Sequence, residues 1–274
     1  MDKNTLKRIL PTLAFIFFLI PIVTSSLLDL EQKKTNELIL EQKLAQEEAE
    51  KIAQEKIYLL GKFDPAERED FAVVPTFYDI GGYKMYLRQE TLDAFLKMAK
   101  AANLNGIDLK IASATRNFDY QKDLWNKKWT GVTLINGQDL SKSIPDGLER
   151  FQKILEYSAV PGISRHHWGT DIDINGATPE YFETEKGEQV YKWLVKNAPL
   201  FGFCEPYTLK DSIRPTGYNE EKWHWTYLPL SKDFTQEYKN LIKDSDINGF
   251  DGDEYVANFD LINDYVLDLN PDCL

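Results

Sequence analysis

The 274 residues contain three histidines, and all of them fall in two short segments. One is Pro161-Gly-Ile-Ser-Arg-His-His-Trp-Gly-Thr-Asp-Ile-Asp173, and the other is Glu220-Glu-Lys-Trp-His-Trp225. Imidazole is the commonest nitrogen ligand for zinc, and a catalytic zinc takes three protein ligands and keeps a position for water. His166, Asp173 and His224 make such a set. Two neutral nitrogens and one carboxylate leave the ion net positive, which helps it acidify a bound water. Glu221, three residues before His224, is placed to take that water's proton. His167 competes with His166 for the ligand position, and ordinary core or surface histidines beside tryptophan are the plain alternative to any ligand. The two cysteines, Cys204 and Cys273, leave no CxxC motif, so an ion site here must use histidine and carboxylate. In an exported chain they can also form one disulfide, which two residues alone do not decide.

Several short elements must bring the two segments together. Arg88–Asn103 sets Leu92, Phe95, Leu96, Met98 and Ala99 at helical spacing and ends near Asn105-Gly106. Leu109–Ala114 alternates as a strand, Asn117–Lys127 reads as a helix, and Leu148–Ser158 is a further helix stopped by Pro161-Gly162. Trp168–Ile174 has strand periodicity with one polar face, Gly187–Asn197 is helical, and Trp223–Tyr227 alternates as a strand. There is no Rossmann glycine pattern, so the expected class is α+β, with a small antiparallel or mixed sheet flanked by helices. Alternation gives His167 the parity of Asp171 and Asp173 and turns His166 the other way, unless Ser164 to His166 lies in a loop before the strand. Glu221 has the parity opposite to His224 and must stand on a bend to face the same centre. Trp168, Trp223 and Trp225 read as wall and core.

The combined pattern resembles the VanY-like zinc D-alanyl-D-alanine carboxypeptidase family, metallopeptidases that share a fold with the D-alanyl-D-alanine dipeptidases and the Hedgehog signalling domain. Its S-x-H-x-x-G-x-A-x-D motif is met by Ser164, His166, Gly169 and Asp173, with Asp171 in place of the alanine. Its E-x-W-H motif is met by Glu221, Trp223 and His224. An upstream S-G-x-R-S-x-x-x-Q pattern resembles Ser113-Ala114-Thr115-Arg116-Asn117-x-x-x-Gln121. The resemblance covers roughly residues 70 to 232. It selects His166 over His167 and implies zinc on His166, Asp173 and His224, with Glu221 as the base. It further implies that Arg116 binds the substrate carbonyl or developing oxyanion, a salt-bridged structural arginine being the alternative. Gln121 and Ser113 would support that loop or the substrate's terminal carboxylate, and Ser164 would contact substrate. Asp171 puts a second carboxylate on the strand face of Asp173, where it would hydrogen-bond a ligand histidine or tune the ion's charge. The implied activity is removal of the terminal D-Ala from D-Ala-D-Ala ends of peptidoglycan stem peptides. L,D-carboxypeptidase action, wall endopeptidase action and a non-catalytic zinc-binding module stay open at this point.

Thirty-two basic against 44 acidic residues give a net charge of −12, so the chain has no global attraction for nucleic acid. With 43% hydrophobic and 13% aromatic residues, wholesale disorder is excluded. Lys3, Lys7 and Arg8 precede an uncharged apolar run, Ile9–Leu28, about 30 Å long as a helix. That predicts a membrane anchor with an exported remainder, or a signal peptide cleaved near Val23-Thr-Ser25. The expected setting is the cell envelope. The expected divisions are 1–28 for this segment, 29–63 for an exposed helical spacer, 64–232 for the peptidase domain and 233–274 for an acidic extension packed on it or trailing. Leu38, Ala45 and Ile52 are seven apart in the spacer. In the tail, Asp244-x-Asp246-x-Asn248-Gly249 opens like a calcium loop, but Tyr255 stands where a bidentate glutamate is required, and a polar turn is expected.

Overall fold

The computed structural model describes residues 28–274 in full, and helix α1 is assigned over Lys3–Leu59. The apolar run expected to enter a membrane lies, but for Leu28, outside the fully described residues. Among the described residues no helix is long and apolar enough to cross a membrane. The chain falls into two compact units, Met1–Ala53 and Gln54–Leu274. In the first, residues 28–50 are exposed throughout. Their polar side chains bond to each other at i,i+4 spacing, Gln32 to Asn36 and Gln46 to Glu50, and Lys43 pairs with Glu47.

The second unit opens with the end of α1 and continues through β1 (Phe71–Val73), β2 (Tyr86–Arg88), α2 (Gln89–Asn103), β3 (Ile111–Ser113) and α3 (Phe118–Trp129). Then come α4 (Leu140–Ser143), α5 (Gly147–Leu155), β4 (Asp171–Ile174), α6 (Pro179–Phe182) and α7 (Glu185–Asn197). β5 (Phe203–Cys204), β6 (His224–Tyr227) and α8 (Leu228–Leu241) follow, and short 3-10 and π turns carry the chain to Cys273. β1 and β2 form one antiparallel pair; the other sheet has the order β3-β4-β6-β5, every neighbour antiparallel. The class is therefore α+β with small antiparallel sheets.

The four-stranded sheet divides the core. On one side, Ile172, Ile174 and Trp225 pack with Leu92, Phe95, Met98 and Ala99 of α2 and Val190 and Leu194 of α7. The spacing of those α2 residues is the i, i+3, i+7 stripe of an amphipathic helix. A second apolar cluster joins Leu59, Trp125, Phe151, Ile154 and Trp168 to Tyr238, Ile247, Phe250, Leu261 and Val266. Residues beyond α8 thus supply part of that cluster, each buried apolar side chain contributing about 1.5–3 kcal/mol. Cys204 and Cys273 form a disulfide that fixes the tail to β5. The calcium-like run is a turn in which Asp246 accepts from Lys56 Nζ and from the Lys243 amide.

β4 differs from an ordinary half-exposed strand, because all four of its residues are buried. Its polar side, Asp171 and Asp173, is covered by protein. The arrangement requires partners for those carboxylates.

Candidate metal centre and active site

Strand register builds the first half of the centre. β4 lies between β3 and β6, with Asp173 opposite Ser113 on one side and opposite His224 on the other. Asp171 is opposite Thr226, so period-two alternation places Asp171, Asp173, His224 and Thr226 on one face. The second half comes from Arg165–Trp168, which is a 3-10 turn and not the start of the strand. Gly169 ends this turn at φ +74°, and a Cβ there would lie 2.5 Å from the Phe71 ring, so both backbone and space require glycine. Inside the turn strand parity does not operate. His166 faces Asp173, while His167 turns away, its Nε2 accepting from the Gly162 amide and its Nδ1 bonding the Arg116 carbonyl. Glu221 also stands on a bend, since the His224 amide donates to the Glu221 carbonyl at 2.9 Å.

One ligand-capable atom each from His166, Asp173 and His224 lies within 4.8 Å of the others. Asp173 Oδ1 is 3.3 Å from His166 Nε2 and 3.7 Å from His224 Nδ1. A tetrahedron with arms of about 2.0–2.1 Å has edges of about 3.3–3.4 Å, so these separations suit zinc. His166 Nε2 and Asp173 Oδ1 are both buried without a hydrogen-bond partner. Such atoms cost about 1–3 kcal/mol each unless something else satisfies them, and a cation between them would do so. The residues present fit a zinc ion.

The other nitrogens are already committed. His166 Nδ1 bonds the Ala114 carbonyl at 2.8 Å, which directs its Nε2 lone pair inward. His224 Nε2 donates to Asp171 Oδ1 at 2.9 Å, leaving Nδ1 for the centre. Asp171 in turn accepts from Arg165 Nε at 3.1 Å and from the hydroxyls of Thr170 and Thr226. Arg165 donates further to Thr226 and to Thr235 of α8 and lies over the Trp168 ring. Burial pushes the Asp171 carboxyl up, but Arg165 and His224 outweigh it and hold it well below the carboxylate range. For Asp173, burial is likewise overcome, by His166, Arg116 and His224, bringing its pKa to about 2. Burial and Arg116 lower His166. His224 rises to about 9 against its burial, through Asp171, Glu221 and Asp173. Glu221 Oε2 is 3.0 Å from His224 Nδ1 and accepts the proton there when no cation holds that nitrogen.

This cluster borders a cavity of about 210 Å³ that Arg116, Gln121, Ser164 and Glu221 also line. Arg116 follows β3, its amide donates to the His166 carbonyl, and its Nε is buried without a partner. Gln121 donates its side-chain amide to the Ala159 carbonyl at 2.7 Å and so braces the segment before Pro161. Ser113 is not among the lining residues; it stands in β3 opposite Asp173, with its hydroxyl bonded to the Tyr83 phenol. Trp223 is wall, and Trp168 and Trp225 are core. Sequence reasoning missed Arg165, Lys128, Ser158, Tyr207 and Tyr218, which also face the cavity. Lys128 had a signal, because it lies seven residues from Gln121 on one stripe of α3.

Comparison with known proteins finds several similar chains. A D-alanyl-D-alanine carboxypeptidase of Enterococcus faecalis (strain ATCC 700802 / V583) is 29% identical over 133 residues, which are 47% of this chain and 44% of that protein. The chain thus spans less than half the length of this curated relative. Among solved structures, a variant of the vancomycin-resistance D,D-pentapeptidase VanY from a VanB-type cassette, in complex with Zn(II), is 23% identical, with a TM-score of 0.43. That match covers 67% of this chain and 93% of the other. The LdcB LD-carboxypeptidase is 26% identical with a TM-score of 0.47, over 67% of this chain and 81% of its own. The family model for VanY, D-alanyl-D-alanine carboxypeptidase, matches residues 84–230, more than half of the chain and every segment that builds the centre. On that match the chain belongs to the VanY family of D-alanyl-D-alanine carboxypeptidases.

Proposed function

We propose that the protein is a zinc-dependent carboxypeptidase that removes the terminal D-alanine from D-Ala-D-Ala ends of peptidoglycan stem peptides. The observation that carries this reading is the meeting of His166 Nε2, Asp173 Oδ1 and His224 Nδ1 at an open cavity, with the Glu221 carboxylate beside them. A zinc ion held by those three atoms would polarise the scissile carbonyl and acidify the attacking water. Glu221 takes the water's proton and returns it to the leaving amine. Arg116, with a buried and unpartnered Nε, donates to the carbonyl oxygen as negative charge develops there; a fixed cation acts most strongly out of bulk water. Ser164 contacts the peptide from the cavity wall, Gln121 acts through the segment before Pro161 that it braces, and Ser113 supports the strand that leads to Arg116. We place the enzyme at the outer face of a membrane, anchored by Ile9–Leu28. The basic residues Lys3, Lys7 and Arg8 ahead of the run support that orientation.

The test uses the zinc-loaded full chain and a purified pentapeptide muropeptide, read by mass spectrometry. The wild type should release one alanine, and chelation of the metal should stop the reaction until zinc is restored. Glu221→Gln should keep its zinc and lose about 10²- to 10⁴-fold in rate. Wild-type turnover by that variant, or a full complement of zinc in His224→Ala, overturns the assignment. Release of a dipeptide or scission inside a cross-link reassigns the substrate.

A further inference from the structure

Tyr207 and Tyr218 line the cavity, and neither belongs to the three sequence motifs. The Tyr207 ring meets the His224 ring edge-on, with centroids 5.0 Å apart. The Tyr207 carbonyl accepts from the Glu221 amide at 2.9 Å. One residue thus touches a metal ligand by its ring and the base by its backbone. The loop between the two tyrosines, residues 208–217, contains no helix or strand. Ordering such a segment costs backbone entropy that contacts must offset. Some of those contacts are internal: the Arg214 guanidinium donates to the carbonyls of Thr208, Thr216 and Tyr218, which ties the two arms of the loop to each other.

The others come from residues 264–273, beyond α8. Asp268 Oδ2 accepts from the Thr216 amide at 2.7 Å and from the Thr216 hydroxyl. Asn270 donates its backbone amide to the Pro206 carbonyl at 2.9 Å and its side-chain amide to the Glu205 carbonyl at 3.0 Å. The Tyr207 hydroxyl donates to the Tyr265 carbonyl at 3.4 Å. Leu269 is buried with both wall tyrosines, and the Tyr265 ring lies 5.0 Å from that of Tyr218. Gly217 has φ +72°, and a Cβ there would run into the Asp264 carbonyl oxygen, so loop and tail meet at a distance that requires glycine.

We propose that Asp268 and Asn270 are positioning residues for the reaction, holding the Tyr207–Tyr218 loop so that it sets the Glu221 carboxylate and the His224 ring at the centre. The acidic tail is then a working wall of the active site. Release of the loop moves the backbone on which Glu221 stands, and a displacement of about 1 Å is enough to cost roughly 10²-fold in rate. The inference rests on Glu221 as the base and is tested apart from it, by hydrogen exchange without substrate.

Exchange of the full-length, zinc-loaded protein is followed by mass spectrometry. In Asp268→Ala, peptides spanning residues 207–222 should exchange about 10- to 100-fold faster, the range for loss of a hydrogen bond to a charged group, while β4 keeps its wild-type rate. With a pentapeptide ending in D-Ala-D-Ala, kcat of that variant should fall about 10- to 100-fold at unchanged zinc content. Asp268→Asn should recover most of both, because one oxygen takes both Thr216 bonds. Asn270→Ala leaves the Thr216 bonds in place, should act in the same direction, and replaces Asp268→Ala if that variant does not fold. Unchanged exchange in the loop, an equal acceleration in β4, a loosened loop with unchanged kcat, or a loss as large in Asp268→Asn as in Asp268→Ala overturns the proposal. A loop loosened by Asp268→Ala, together with a wild type that cleaves no stem peptide, removes the activity and leaves the tail's hold on Glu221 and His224 standing.

Discussion

His224 has a different carboxylate on each ring nitrogen, and that pairing decides which lone pair can meet an ion. Asp171 is the fixed one. It is fully buried, and its counter-charge, Arg165, is equally buried. Removing one member of such a pair leaves the other charged and unsolvated. Asp171→Ala should therefore lower stability by about 3–5 kcal/mol in a denaturant titration. It should also weaken zinc about 10- to 100-fold against a chromophoric chelator, because His224 loses its orienting partner. Asp171 was legible as a departure from the motif, and its bond to a ligand histidine follows from its strand face. Arg165 was not legible, because a turn and a left-handed glycine separate it from Asp171 and no periodicity links them. The same turn explains His166, whose orientation strand alternation alone would have reversed.

Strand lengths and helix positions were largely readable, because apolar periodicity in α2, α7 and β6 survives into the packed core. Trp168–Thr170 was read as strand because Trp-Gly-Thr-Asp alternates in polarity, yet Gly169 breaks the backbone there. The polar face of β4 is buried, with Asp171 accepting from Arg165, Thr170, Thr226 and His224 while Asp173 Oδ1 stays without a hydrogen-bond partner at the cavity. α3 is started by Asn117, whose side chain accepts from the Tyr120 amide, and that cap sets which residues of the helix meet the cavity. Just after β5, Glu205 is buried with both carboxylate oxygens accepting from the Tyr191 hydroxyl. Burial pushes its pKa from 4.5 to about 7, with Glu220 adding to the rise and the Tyr191 bond opposing it. The folded state then holds this proton more tightly than the unfolded chain, so the contribution is full below pH 4.5 and is lost as pH rises through 7. Glu205→Gln should remove that loss, a difference on the order of 2–3 kcal/mol between pH 5 and pH 8 when unfolding of variant and wild type is compared.

Across the whole molecule, acidic composition concealed the role of the tail. Its apolar residues Ile247, Phe250, Leu261 and Val266 recur without helical or strand period, since 3-10 and π turns carry them, but they pack into the second cluster. Composition left open whether Cys204 and Cys273 pair; the fold brings them together across 69 residues. By chain-entropy reasoning Cys273→Ser should cost about 4 kcal/mol, measured as a lower denaturant midpoint under non-reducing conditions. A midpoint unchanged by that substitution would show that the tail is held by packing alone. The disulfide also closes a covalent ring with Glu221 and His224 inside it and His166 and Asp173 outside. The two halves of the centre therefore share no crosslink and meet only when β4 and β6 dock edge to edge. Ion capture by this protein thus reports the docking of β4 on β6, and an oxidised but unpacked chain would carry both halves without a place to join them.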